Sequence, residues 1–284
     1  NEWNEDLSKS TGSTVYQTYN WQKLYREAFG SKPVFISITN ENGIVVGQLA
    51  CLIHEKMQVT DTNSLSKKIG NLLGLGTSLW WYHGPIIHDK DNSNEILEII
   101  LSTVDKIAQD NNVINIRGIS SPLTEQFPTR TFEEFGYNAE SRLTFIVDLN
   151  QTTDDLYNSL KKDPRYYIRK SEKEGFDFEI ANDIEGLERF QDLKIESKKR
   201  GGKKYVRNPE FYRKHWEIMQ NNGYEEWLLA KDDGKIKGTI LTLLFNGNVI
   251  QHALANSPEK ELVGTFLTWN TIKWAQKMKY RTFD

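Results

Sequence analysis

FISITNENGIVVGQLACL, residues Phe35–Leu52, is followed much later by LLAKDDGKIKGTILTL, residues Leu228–Leu243. At an offset of 191 residues Gly43 falls on Gly234 and Gly47 on Gly238. Each stretch reads as an apolar strand, a tight polar turn that ends in glycine, and a second apolar strand with a glycine where a bulge fits. One β-hairpin is therefore written twice, and a duplication of this size decides the fold before any motif does.

The likeness continues on both sides of the hairpins. Asn94–Asn111 (NEILEIILSTVDKIAQDN) and Thr265–Lys279 (TFLTWNTIKWAQKMK) carry apolar residues at helical spacing, with Ala108-Gln109 falling on Ala275-Gln276, and a short strand follows each. Helical spacing also precedes each hairpin, at Tyr16–Phe29 and at Ile184–Lys199. A further helix is expected over Asn208–Asn221 after the start signal Asn208-Pro209-Glu210. Antiparallel hairpins mixed with helices indicate two α/β (mixed α+β) units with largely antiparallel sheets, residues 1–150 and 151–284. The boundary is expected near Asp148–Thr153, where the strand LTFIVDL runs into NQTTDD. The first unit continues past its last shared strand with EQFPTRTFEEFGYNAESRLTFIVDL, whereas the second stops at Asp284. By symmetry the second unit lacks its final helix and strand or borrows that edge from elsewhere.

The 284 residues include twelve Tyr, thirteen Phe and eight Trp, too many large apolar groups for a disordered chain. Cys51 is the single cysteine, so disulfide stapling is excluded, and its apolar setting GQLACLI predicts a buried, inert thiol. The longest apolar runs, LACLI and ILTLLF, are strand length rather than membrane-spanning, and the opening NEWNEDLSKS does not read as a secretory signal. A soluble protein is the expectation.

Thirty-six Lys and Arg against thirty-nine Asp and Glu give a net charge of -3, but the balance is uneven. Lys161, Lys162, Arg165, Arg169, Lys170 and Lys173 are opposed locally only by Asp163 and Glu172. Lys194, Lys198, Lys199, Arg200, Lys203, Lys204 and Arg207 are opposed only by Glu196, with Gly201-Gly202 predicting a loop among them. If Leu156–Glu174 is helical and interrupted near Pro164, Arg165 and Arg169 share a face with Lys161 one turn earlier, a spacing suited to gripping a diphosphate. A solvated face with ion pairs such as Lys170 with Glu174 accounts for the same run. Gly264-Thr265 at a helix start offers backbone N–H groups to a pyrophosphate, or simply begins the helix.

The five histidines show no metal-ligand spacing, and there is no nucleophile elbow or Walker loop. Gly74-Leu75-Gly76 is half a dinucleotide fingerprint outside a βαβ unit and reads as a loop. Trp80-Trp81-Tyr82-His83-Gly84-Pro85 reads either as the wall of a substrate groove or as core.

PRYYIRKSEKEGFDFEI (Pro164–Ile180) resembles the arginine-rich helix-turn-strand signature of the FemABX family, the peptidoglycan interpeptide-bridge aminoacyltransferases. HGPII (His83–Ile87), the early helix around Gln17 and Trp21, and WNTIKWAQKMKYRTFD (Trp269–Asp284) resemble family landmarks in the same order. The resemblance implies tandem acetyltransferase-like (GNAT) domains and transfer of an acyl or aminoacyl group to an amine. The co-substrate it implies is aminoacyl-tRNA or acyl-CoA, with no resident cofactor. It further implies that Arg169 and Lys170 meet the diphosphate of a phosphorylated glycan or nucleotide-sugar precursor, that Trp21 contributes to substrate binding, and that tRNA is a partner. Work in the cytoplasm, at the inner membrane face, goes with that substrate. The chain departs from the cell-wall enzymes in two places. Only about thirty residues separate Lys194 from Tyr224, too few for the helical-hairpin insertion that some members carry. INIRG also stands where those enzymes have an acidic residue and proline, so Arg117-Gly118 is closer to the FemAB-like acetyltransferase branch of polysaccharide and envelope biosynthesis. A catalytically silent pair of such domains that binds a phosphorylated glycan or RNA is the competing reading.

Overall fold

Both copies of the glycine hairpin form, and each builds a sheet around itself. The computed structural model describes residues 1–54, 76–124, 127–200, 202, 208–258 and 262–284. Gly74-Leu75, Gly201, Lys203, Lys204, Tyr205 and Arg207 lie outside the described residues. The chain divides into two units, Asn1–Thr144 and Phe145–Asp284.

In the first unit, α1 (Glu2–Ser8) is capped by the Asn1 side chain, which accepts the Trp3 N–H. A single 3₁₀ turn leads to Thr18, whose hydroxyl caps α2 (Tyr19–Phe29). The hairpin is β1 (Lys32–Thr39) and β2 (Val45–His54). It is followed by β3 (Ser78–Tyr82), β4 (Ile86–Ile87), α3 (Ser93–Asp110), β5 (Asn115–Ile119) and α4 (Thr129–Glu134). Among the described residues, strand order is β1-β2-β3-β5 with β4 against β2, and only β3 and β5, one before and one after α3, run parallel. The apolar stripe of α3 (Ile96, Leu97, Ile100, Leu101, Val104) closes on Ile36, Leu49, Cys51 and Ile53. Cys51 is fully buried, and burial pushes its thiol pKa up, so it remains the inert thiol expected.

The second unit runs β6 (Val147–Asp148), α5 (Thr153–Ser159), α6 (Lys162–Glu172), β7 (Asp177–Ile180), α7 (Glu185–Arg200) and α8 (Pro209–Ile218). It continues with β8 (Glu225–Asp232), β9 (Lys235–Phe245), β10 (Asn248–Asn256), α9 (Val263–Lys277) and β11 (Thr282–Phe283). Strand order is β6-β11-β10-β9-β8-β7, and again the strands that flank the long helix, β10 and β11, form the parallel pair. On one face Val263, Phe266, Leu267 and Trp274 of α9 pack on Leu228, Ala230, Ile240 and Leu244. Each such side chain contributes about 1.5–3 kcal/mol on leaving water. On the other face Phe190 of α7 meets Trp227 at a ring separation of 5.2 Å.

The two hairpins agree down to the irregularity. Ile38 pairs with Gly47 and Thr39 with Val45, leaving Val46 as an extra residue. Ala230 pairs with Gly238 and Lys231 with Ile236, leaving Lys237. The bulge therefore sits immediately before the same glycine in each copy.

Two expectations shift. The strand expected to end the first unit contributes only Val147–Asp148, and it pairs antiparallel with β11, so it belongs to the second sheet and the division falls earlier than Asp148–Thr153. The second sheet thus includes a strand from the segment that precedes α5. The helical run also breaks at Leu160-Lys161 rather than at Pro164. Proline has no N–H to lose in a first turn, where that group is unpaired anyway, so α6 starts at Lys162 and carries Pro164 within its opening turn.

Candidate active site

A cavity of about 930 Å³ opens in the second unit between α6, α9 and the β6–α5 segment. Helical spacing makes two of its walls. From α6 come Pro164, Tyr167 and Ile168, and from α9 come Gly264, Thr265, Thr268, Trp269 and Ile272. Ile146, Val147, Leu156, Leu160 and Leu254 complete an apolar lining, with Asp148, Gln151, Ser159 and Asp163 as its other polar groups. The far end of α9 is tied down. Thr153 Oγ1 donates to Gln276 Oε1 at 2.8 Å, Gln276 Nε2 donates to the Gln151 carbonyl at 2.7 Å, and Lys273 pairs with Glu172 at 3.3 Å.

Its near end is the polar feature of the cavity. α9 begins after Leu262, which has no polar side chain to cap the first turn, and Gly264 and Thr265 of that turn face the cavity. Early N–H groups of a helix have no intrahelical acceptor and carry the positive end of its dipole, so an anion at this mouth is stabilised. A Cβ added at Gly264 would meet only Leu254, at 3.8 Å, so the glycine keeps the wall thin rather than relieving a clash.

The expected cations stand outside this cavity. Lys161, Arg165 and Arg169 recur every four residues along α6, on a face adjoining the lining residues but not among them. The Arg169 guanidinium lies 5.5 Å from the Tyr157 ring centroid, and the Tyr157 hydroxyl donates to the Arg165 carbonyl at 3.2 Å. Lys170 is exposed and, as the next residue on a helix, points about 100° away from Arg169. Trp21 is 1% exposed in the first unit, edge-on to Tyr16 and tilted against Tyr25, which makes it a core residue rather than a binding surface. The Trp80–Pro85 stretch divides: Trp81 is buried and donates its indole N–H to the Gly84 carbonyl at 3.0 Å, while Trp80, Tyr82 and His83 are half-buried.

A polar cluster that the sequence did not reveal lies on the other face of the second sheet. His215 of α8 and Glu225 of β8 are both fully buried, with Nδ1 and Oε2 2.6 Å apart. Trp227 Nε1 donates to the other carboxylate oxygen at 2.8 Å. His252 lies beside the pair, its ring centroid 6.2 Å from that of His215. It is the extra residue of a bulge in β10, between Gln251, paired with Thr242, and Ala253, paired with Leu241. Thr268 of α9 donates to the Gln251 side chain at 3.2 Å while the His252 ring lies beside that of His215, so these two successive strand residues point to opposite faces of the sheet. The His252 ring is exposed yet lies deep enough among protein that lost hydration, and then His215 and Lys194, hold its pKa below the ordinary histidine value. Lys194 is half-buried over the Phe190 ring, and burial, with Lys198 one turn on, lowers its pKa too. β10 pairs with β11 only through Asn248, Val249 and the Gln251 N–H, which donates to the Asp284 carbonyl at 2.8 Å.

Among the described residues, no helix is long and apolar enough to cross a membrane. The sequence profile of the Acetyltransferase (GNAT) domain family matches residues 158–284. No curated protein matches the chain by sequence. Among solved structures, FemX superposes with a TM-score of 0.73 at 15% identity, over 99% of this chain and 86% of FemX. A tandem GNAT protein from the clavulanic acid biosynthesis pathway gives 0.54 at 11% identity, over 99% and 84%. L-PGS from Bacillus licheniformis gives 0.52 at 15% identity, over 94% and 75%. The chain therefore has the fold of FemX and of the tandem GNAT protein, and its residues 158–284 match the acetyltransferase (GNAT) domain family.

Proposed function

We propose that the second unit transfers an acyl group from a coenzyme A thioester to an amine of a phosphorylated cell-envelope precursor. The observation that carries this reading is the cavity at the first turn of α9, inside the segment that matches the GNAT family. A pyrophosphate suits the N–H groups around Gly264 and Thr265, and an apolar arm suits the lining that runs from Leu254 to Trp269. In the reaction a neutral amine attacks the thioester carbonyl, the C–N bond forms, the C–S bond breaks, and the amine proton leaves with coenzyme A thiol as the second product. The envelope acceptor rests on the resemblance to the FemABX family, and in this reading Lys161, Arg165 and Arg169 hold its phosphate.

A second reading has aminoacyl-tRNA as donor, favoured by the same cation stripe lying on the surface rather than in the cavity, where a polyanionic backbone can reach it. Incubating the full chain separately with acetyl-CoA and with charged tRNA, each with a panel of envelope-precursor amines, and detecting the amide by mass spectrometry tests both. The expected result is amide and coenzyme A release with the thioester. Product from charged tRNA alone overturns the first reading in favour of the second. No product, together with no calorimetric binding of coenzyme A, leaves the catalytically silent pair.

A further inference from the structure

We propose that Tyr167 of α6 is the stacking platform for the adenine ring of the acyl donor, so that the cavity holds the donor's nucleotide end as well as its thioester arm. The inference rests on the acyl-transfer reading above and names the residue that recognises the nucleotide. Coenzyme A carries its adenosine directly on the pyrophosphate that suits Gly264 and Thr265. A place for the base is therefore required one ribose away from that turn.

Register puts Tyr167 there. Lys273 of α9 pairs with Glu172 of α6 at 3.3 Å, and the cavity is lined by Pro164, Tyr167 and Ile168 from one helix and by Gly264, Thr265, Thr268 and Trp269 from the other. The two helices thus lie side by side in the same direction, with Pro164 level with the Gly264-Thr265 turn and Tyr167 level with Thr268, one turn on. The four residues from Gly264 to Thr268 cover about 6 Å, a distance that one ribose spans.

Exposure then separates Tyr167 from its neighbour. Ile168 is 5% exposed and joins Leu156 and Trp269 in a buried floor, which suits the apolar arm, whereas Tyr167 is 48% exposed on the outer wall. An aromatic ring left half open in a concave wall gains on being covered by a second flat ring, through apolar area removed from water and through offset stacking. Tyr166 meets it edge-to-face at 5.3 Å and so takes up at most one of its two faces. Ser159 and Asp163 also line the cavity and supply oxygen acceptors for an exocyclic amino group. Adenine offers that group where guanine offers a carbonyl. The terminal adenosine of a charged tRNA presents the same ring, and the experiment separates the two sources.

Calorimetry on the full chain compares coenzyme A with 4′-phosphopantetheine, which keeps the arm and one phosphate but lacks the adenosine. Tyr167→Ala is expected to raise the Kd of coenzyme A about tenfold, as the loss of one stacked base does, and to leave 4′-phosphopantetheine unchanged. Tyr167→Phe is expected to bind both as wild type does, which rules out a general loss of fold. Saturation-transfer NMR is expected to show the adenine H2 and H8 protons against wild type and to lose them in Tyr167→Ala. Wild-type coenzyme A affinity in Tyr167→Ala overturns the platform, and so does an equal loss for both ligands; either result leaves the acyl-transfer reading intact. A wild type that binds neither ligand overturns that reading instead. The platform then stands only if Tyr167→Ala weakens charged tRNA while leaving tRNA without its terminal adenosine unaffected, and it falls if it does not.

Discussion

Gly238 of β9 lies directly beneath Val263 of α9, so close that a Cβ on the glycine would overlap the valine side chain and crowd Leu267 one turn later. Gly47 holds the same relation to Ile96 and Ile100 of α3 in the first unit. The spacing from Ile96 to Val263 and from Ile100 to Leu267 is the same as that from Ala108 to Ala275, so both halves repeat the same strand-to-helix contact. The duplicated glycine is therefore explained by helix approach as well as by the bulge beside it. Gly238→Ala must push α9 off the sheet or force its side chains out of their rotamers, at about 1–3 kcal/mol. Guanidinium unfolding of the full chain is expected to show that loss, and a midpoint equal to wild type would refute the contact.

Gly264 makes the opposite case within the same helix. A methyl group there meets Leu254 at ordinary van der Waals distance, and alanine is favoured over glycine in a helix by about 1 kcal/mol. Gly264→Ala is thus expected to leave stability equal or slightly raised. The same methyl projects into the mouth of the cavity, so the KM for acetyl-CoA, or the Kd of coenzyme A measured by calorimetry, is expected to rise several-fold. Unchanged coenzyme A binding would remove the donor from this mouth.

His54 makes the first unit sensitive to acid. It is buried at 3% exposure, its Nδ1 is 2.8 Å from Ser31 Oγ, and burial pushes its pKa down to about 4. Between about pH 6.5 and pH 4 the unfolded chain binds a proton at this residue that the folded chain does not, so stability falls as pH is lowered through that window. The full loss is on the order of 2–3 kcal/mol. His252 and His88, also lowered, act in the same direction. Chemical denaturation at pH 7 and pH 4.5 is expected to give a smaller pH difference for His54→Gln than for wild type. An identical difference in the two proteins would show that His54 is not the sensor.

The duplication, the long helices and the inert Cys51 were legible because they rest on local periodicity and on a repeated glycine. Gly264 and Thr265 were legible as well, since a helix start is a local pattern. The failures are long-range. Val147–Asp148 pairs with a strand more than a hundred residues away, and nothing in LTFIVDL specifies which of two sheets it joins. Trp21 was expected to meet substrate on the family resemblance alone, and helical spacing does not say which face a neighbouring sheet covers. His252 carried no motif at all. Its surroundings come from one extra residue in the β9–β10 register and from two helices that bring His215 and Lys194 to it.

The cation stripe on α6 separates the two donor readings. Lys161, Arg165 and Arg169 do not line the cavity, and Lys161 and Arg169 are exposed, so truncating them leaves the cavity walls unchanged. The stability cost of Lys161→Ala, Arg165→Ala and Arg169→Ala together is expected to stay near 1 kcal/mol, most of it the Arg169 contact with Tyr157. Coenzyme A binding is expected to be unaffected, while the KM for a phosphorylated acceptor rises and an uncharged amine analogue is used as well as before. If the stripe instead grips tRNA, the triple variant binds charged tRNA more weakly, and its log affinity falls less steeply with log salt because fewer phosphate contacts release counterions. A triple variant with wild-type acceptor KM and wild-type tRNA affinity would leave these cations with no ligand and restore the plain solvated helix face.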